Sequence, residues 1–334
     1  MKIFLILLLL ALSACTHGVH PSVSDHFDGS RFFNPEGPGT KSLWQLLRWK
    51  MKSHSATWPD EVRNNSYRVK KIGHQNAVVT FINHATFLIQ LPGLTILTDP
   101  IFADRAGPFQ SFGPVKRVRP PGLLLEDLPK IDVILISHNH YDHLSLEDLK
   151  QISKRDGAKI LIPLGDKSLL LSEGIKNVQE LDWWNEVKID HYKITFTPVQ
   201  HWSARGVFDK NKSLWGGYFV SNEKIKIYFA GDTGYTRFFK LTKERLGAPD
   251  LALLPIGAYE PRWFMKDFHM NPEEAVMAHR DLESKLSLGM HFGTFKLSDE
   301  PYDAPMRDLK EQVKKYNLNQ EAFRVLDFGE SIEL

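Results

Sequence analysis

The apolar run Ile131-Asp132-Val133-Ile134-Leu135-Ile136 leads straight into Ser137-His138-Asn139-His140-Tyr141-Asp142-His143. Its length and β-branched content are those of a buried strand, so the polar cluster falls in a loop at the strand's carboxyl end. A ligand-rich loop on a rigid strand is where α/β folds place their chemistry, and this constrains the chain to that fold class.

The cluster reads H-x-H-x-D-H, three imidazoles and a carboxylate within six residues. Such donors suit zinc, and also manganese or iron. They exceed what one tetrahedral ion with an open position needs once further ligands arrive, so the pattern points to two metals side by side. A His-rich surface loop is the plain alternative, and the strand context weighs against it. With 334 residues, 42% of them apolar, the chain can bury a sizeable core in one large domain or two small ones. A formal net charge of +2 and the lack of a long basic run leave no electrostatic footprint for nucleic acid.

The first fourteen residues read as a targeting segment: Lys2, an apolar core over residues 3–12, then Leu12-Ser13-Ala14-Cys15. A bilayer-spanning helix needs about 20 residues, so a signal peptide over 1–14 fits better. The L-S-A-C ending resembles the lipobox of bacterial lipoproteins, whose cysteine is acylated and becomes the new N-terminus. Cys15 is the single cysteine, so its lipidation leaves no thiol for a disulfide or metal site. A plain secretory signal with a stray cysteine is the alternative. Thr16, following the cysteine, resembles the outer-membrane sorting pattern. The expected location is therefore a bacterial outer membrane, facing the periplasm.

Residues 15–41, rich in Gly, Pro, Ser and His, read as a tether, and 42–334 as one catalytic domain. A helix is expected over 42–52, its cations toward the C-terminal end. Two readings suit it: a helix lying on an anionic lipid surface, or one packed on the core with snorkelling lysines. Strand patterns are expected over 77–83, 87–91, 94–98, 159–163, 178–181, 192–199, 215–221, 225–230, 251–255 and 287–290. Helices are expected over 145–154, 167–172, 272–280 and 305–318, closing strands within 323–333, and an irregular aromatic stretch over 256–265. His84 reads as a structural or supporting histidine, and the basic segment 116–121 as a solvated loop, with attraction to phosphate headgroups the sharper alternative.

His201, Asp232 and His291 each lie just past the end of an expected strand, like the first motif. Together with His138, His140, Asp142 and His143 they make five histidines and two carboxylates, the inventory of a two-ion site with one bridging carboxylate.

On these residues the chain resembles the metallo-β-lactamase superfamily. The longer phrases Leu181-Asp182-Trp183-Trp184, Gln200-His201-Trp202, Ala230-Gly231-Asp232-Thr233-Gly234-Tyr235 and His291-Phe292-Gly293-Thr294-Phe295 resemble the N-acyl-phosphatidylethanolamine-hydrolysing phospholipases D. The resemblance implies an αβ/βα four-layer sandwich with two Zn²⁺ at one edge. It assigns His138, His140 and His201 to one zinc, Asp142, His143 and His291 to the other, and Asp232 to the bridge. It also implies that Tyr141 and His269 meet a membrane phospholipid, and it leans toward a homodimer. Hydrolysis would use a hydroxide shared by the metals, with Asp142 orienting it and His269 stabilising or protonating the leaving side. His269 could instead cap the helix starting near Asn271, and Tyr141 could merely pack. Asn83 stands where glycine is expected, and Phe292 where tryptophan is frequent. A lactonase or another phosphodiesterase of the same fold is the alternative activity, and a lipid-binding lipoprotein without turnover a third reading.

Overall fold

The structure is a computed structural model that describes residues 23–37, 39, 41–70, 76–108 and 113–334. The expected signal peptide and Cys15 lie outside these residues.

The chain enters the body through helix α1 (Leu43–Lys52), then a meander of β1 (Val78–Asn83), β2 (Thr86–Leu91) and β3 (Leu94–Thr98). The short ribbon β4 (Arg105–Ala106) and β5 (Val115–Lys116) precedes β6 (Val133–Leu135), α2 (Leu146–Asp156), β7 (Lys159–Pro163), α3 (Lys167–Ser172) and β8 (Val178–Leu181). A second series holds β9 (Glu186–Ile189), β10 (Tyr192–Thr197), β11 (Gly217–Ser221), β12 (Lys226–Phe229), α4 (Phe238–Leu246) and β13 (Leu251–Pro255). It closes with α5 (Arg262–Met265), α6 (Pro272–Leu282), β14 (Leu286–Met290), α7 (Ala304–Lys315), β15 (Phe323–Arg324) and β16 (Ser331–Glu333).

Two mixed seven-stranded sheets result, ordered β16-β1-β2-β3-β6-β7-β8 and β15-β14-β13-β12-β11-β10-β9. Every residue of β1 and β2 is buried, as strands covered on both faces must be. Alternation divides them: Val79, Phe81, Phe87 and Ile89 meet Ile194, Phe196, Tyr218 and Leu253 of the second sheet in one core. Ile82, Leu88, Leu97 and Ile134 turn outward onto Leu149 and Ile152 of α2 and Leu170 of α3. Helix α6 packs on β13 and α7, covering the second sheet. The architecture is the αβ/βα sandwich expected.

Local chemistry sets the helix ends. Ser145 caps α2 by accepting the Asp148 N–H, Glu147 and Asp148 sit in its first turn, Lys154 and Arg155 in its last, and Gly157 ends it in the left-handed region. Asn271 and Glu274 form a reciprocal capping box on α6, with Pro272 at its first turn.

Three expectations need correction. The tether does not extend to residue 41, because Phe27 and Phe32 are buried in the main core with ring centroids 4.6 Å apart. His26 joins them, stacked on Trp183 at 4.3 Å and bonded through Nε2 to Asp182 Oδ1 at 2.7 Å. Two phenylalanines outweigh a composition that otherwise reads as linker. The basic loop is not wholly solvated: the Arg117 guanidinium is buried, donating to the carbonyls of Ala103 and Ile101 and to Asn83 Oδ1 at 3.0, 2.8 and 3.1 Å. That use of Asn83 accounts for a side chain where glycine was expected. The stretch over 256–265 contains the short helix α5, and β9 and α4 had no counterpart among the expected elements.

Burial opposes charge on His26, but the carboxylates of Asp182 and Asp25 outweigh it and hold its pKa above 6.5. A raised pKa means that the ion pair stabilises the fold fully below the unfolded value and stops doing so as pH rises through the folded one. Thermal melts of the parent and of Asp182→Asn should differ most below about pH 6.5 and converge at alkaline pH. A gap that widens with pH would contradict this account.

Candidate metal centre

Parallel pairing of β3 with β6, Thr98 opposite Leu135, brings Asp99 beside Ser137. Asp99 Oδ1 accepts the Ser137 N–H at 2.7 Å, and Oδ2 accepts the Ser137 hydroxyl at 2.5 Å and His143 Nδ1–H at 2.7 Å. The Ser137 hydroxyl proton is thereby used, so at 2.9 Å its oxygen accepts from His138 Nδ1–H. His201 Nδ1–H likewise donates to the Phe268 carbonyl at 3.0 Å. Each of these three rings is fixed through Nδ1 and presents Nε2 inward, the arrangement second partners impose on metal-ligating histidines.

The second sheet supplies the other half. Asp232 follows β12 through Gly231, whose φ is +61° and where an added Cβ would lie 2.5 Å from Ser137 Cβ. His291 follows β14 with φ +62°, and its N–H donates to the His84 carbonyl at 2.7 Å. Gly257 passes so close that a Cβ there would fall 2.0 Å from the His291 carbonyl oxygen. Only residues without a side chain let these strand ends approach.

The donors converge. His138 Nε2 lies 2.9 Å and His201 Nε2 3.3 Å from His140 Nδ1. Asp142 Oδ2 lies 3.4 Å from His291 Nε2 and 3.5 Å from His143 Nε2. Asp232 Oδ2 stands between the sets, 3.0 Å from His291 Nε2, 3.3 Å from His143 Nε2 and 3.9 Å from His201 Nε2. Among the described residues, His138, His140 and His201 form one group able to hold a metal, and Asp142, His143 and His291 another that also includes His84.

The electrostatics fit cations. Burial and neighbouring rings push His138 and His201 well below 6.5, and burial takes His140 down to about 4, so these imidazoles keep their lone pairs. Against the effect of burial, Asp232 and Asp142 push His291 up to about 9 and His143 well above 6.5. The carboxylates are themselves held well below the usual range by those rings. His143 Nε2, His291 Nε2 and Asp232 Oδ1 are buried without a hydrogen-bond partner. Orphaned buried donors beside carboxylates that attract positive charge are what a metal would satisfy.

His269 Nδ1 lies 3.8 Å from Asp232 Oδ2, and its ring is 5.2 Å from that of His201. It does not cap α6, since Asn271 does. Tyr141 stands apart from the donors: its hydroxyl donates to the Arg205 carbonyl at 2.7 Å and its ring lies 4.1 Å under the Arg205 guanidinium. Sequence reasoning assigned no role to Asp99, Asp166 or Arg205. Asp166 accepts from Asn139 Nδ2 at 2.9 Å and the Ser213 hydroxyl at 2.7 Å, and Arg205 donates to the carbonyls of Asn139 and Leu144, both at 2.9 Å. The available signal for Asp99 was its position at the end of a strand, the one that marked His201, Asp232 and His291. Trp202 adds a wall, its ring 4.3 Å from that of His140.

Residues 95–292 match the family model described as a beta-lactamase superfamily domain. The chain is 37% identical over 329 residues to N-acyl-phosphatidylethanolamine-hydrolyzing phospholipase D 1 of Caenorhabditis elegans, a match covering 91% of this chain and 92% of that relative. It is 43% identical over 225 residues to the mitochondrial N-acyl-phosphatidylethanolamine-hydrolyzing phospholipase D of Saccharomyces cerevisiae, covering 65% of this chain and 48% of the relative. A solved metallo hydrolase of Ignicoccus hospitalis superposes with a TM-score of 0.59 at 25% identity, over 78% of this chain and 98% of that one.

His84 Nε2 bonds Asp142 Oδ2 at 3.0 Å while its carbonyl holds the His291 N–H, so one residue steadies a donor from each half of the site. His84→Ala should weaken metal retention by about 10- to 100-fold in chelator competition. Retention equal to that of the parent would remove His84 from the site's support.

Proposed function

We propose, for a chain that belongs to the metallo-β-lactamase superfamily and is a metal-dependent hydrolase, that it acts as a zinc-dependent phospholipase D on N-acyl phosphatidylethanolamines. The products are N-acylethanolamine and phosphatidate. The observation that carries this reading is the likeness to the Caenorhabditis elegans phospholipase over nearly the whole of both chains, with the donor clusters at one sheet edge.

Two zinc ions, when bound, supply Lewis acidity to a phosphoryl oxygen and activate water at neutral pH. His138, His140 and His201 would hold one, Asp142, His143 and His291 the other, and Asp232 lies between both sets. Water's oxygen becomes bonded to phosphorus, the bond from phosphorus to the ethanolamine oxygen breaks, and that oxygen leaves with a proton. Asp142 accepts hydrogen bonds on the attacking side. His269, pushed down to about 4 chiefly by burial, is a neutral hydrogen-bonding ring at neutral pH and serves the leaving side. Tyr141, with its hydroxyl committed to Arg205, offers the lipid its ring.

The reading includes a membrane phospholipid as substrate, a membrane surface as partner, and a homodimer as the working form. Among the described residues no helix is long and apolar enough to cross a membrane. In this proposal the attachment is acylated Cys15, in an outer membrane facing the periplasm.

Zinc-loaded protein should release N-acylethanolamine and phosphatidate from N-acyl phosphatidylethanolamine in mixed micelles, and Asp232→Asn should not, as read by mass spectrometry. Intact lipid in the presence of two bound metals per chain would overturn the substrate assignment and favour a lactonase or another phosphodiesterase of this fold.

A further inference from the structure

Large apolar side chains stand in solvent on two neighbouring parts of the surface. On α1, Trp44 is 79% and Met51 78% exposed, and on the loop after His201, Val207 is 63% and Phe208 76% exposed. Trp44, Leu47 and Met51 are spaced three and four apart, so they share one helical face, and exposed Trp263 of α5 lies alongside.

Both parts are held in shape. The Trp49 indole donates to Asp299 Oδ2 at 2.8 Å, the Ser53 hydroxyl to Asp299 Oδ1 at 2.6 Å, and the Trp49 ring packs 4.9 Å from Phe264. The opposite face of α1 is thereby presented outward. In the loop, the Asp209 carboxylate accepts the N–H groups of Arg205 and Gly206 at 3.0 and 2.8 Å, and Arg31 donates to the carbonyls of Phe208 and Lys210. Lys41 joins the two parts: its carbonyl accepts from Lys210 Nζ at 2.8 Å, and its ammonium pairs with Asp267 and lies 6.0 Å over Phe264.

Cations outnumber free acids on this face. From Lys41 to Trp58 there are four cations, Lys41, Arg48, Lys50 and Lys52, and no acid. Arg48 lies 5.2 Å over the Trp263 ring, and Arg31, Lys210 and Lys212 flank the loop tip. The nearby acids are occupied, Asp209 by backbone N–H groups and Asp267 by Lys41. The face is continuous with the metal centre, since the loop carries Trp202 against His140 and Arg205 against the backbone of the metal motif.

We propose that α1, Trp263 and the Val207-Phe208 tip form one docking face for an anionic phospholipid bilayer. The tip and Trp44 enter the boundary between headgroups and acyl chains, while the cations meet phosphates. A second copy of the chain would bring like charges together, which disfavours it as the occupant. The inference rests on the lipid-substrate reading and names the surface that serves it.

Binding is tested on the chain carrying Cys15→Ser, so that no acyl anchor contributes, by co-sedimentation with phosphatidylglycerol-phosphatidylcholine vesicles free of N-acyl lipid. The protein should sediment with these vesicles, and at least tenfold less with pure phosphatidylcholine or in high salt. Val207→Ser with Phe208→Ser, and separately Trp44→Ser with Met51→Ser, should each lower binding about tenfold with metal content and melting temperature unchanged. Binding by both double variants equal to that of the parent, no binding by the parent, or a dimer in gel filtration that the variants dissolve would overturn the proposal. Turnover is not scored, so vesicle binding without cleavage of N-acyl lipid would defeat the substrate assignment and leave the docking face standing.

Discussion

Five imidazoles and two carboxylates converge at one edge of this sandwich, and five of the seven are almost completely removed from water. Such a set is costly unless something satisfies its lone pairs, and the surrounding chain leaves several of them without a partner. The cost extends to the backbone. His84, Asp99 and His291 all carry left-handed φ values, +46°, +32° and +62°, which non-glycine residues adopt at about 1–3 kcal/mol each. A fold that keeps three such residues around one cluster gains from a cation that the cluster can hold.

Around the donors runs a layer of fixed partners. Asp99 is its centre, since one fully buried carboxylate ties Ser137, His143 and, through the Ser137 hydroxyl, His138 into a single orientation. Burial raises the pKa of Asp99, and the bonds from His143 and Ser137 work against that shift. On the far side of the motif, Asp166 and Arg205 hold Asn139 from two directions. The metal loop is therefore built with little freedom even though it is a loop.

The seven metal-binding candidates were legible in the amino-acid sequence because all sit in one local pattern or directly behind an apolar strand. Asp99 was not, although it too ends a strand, because its meaning depends on which strands are neighbours, and the parallel pairing of β3 with β6 leaves no trace in either segment alone. Arg117 was misread for a related reason. A guanidinium in a run of cations looks solvated, and its burial becomes affordable only where carbonyls of Ala103 and Ile101 converge from another part of the chain. The N-terminal segment shows the converse, as glycine and proline around Phe27 and Phe32 hid two core residues inside an apparent linker.

The strands that deliver the site lie far apart along the chain. His138 and His140 come from the first sheet and His201 from the second, while His291 reaches Asp142 and His143 across about 150 residues. Contacts of such sequence separation are closed at a high loop entropy and form after local ones. A metal held by donors from both sheets would join them as a cross-link.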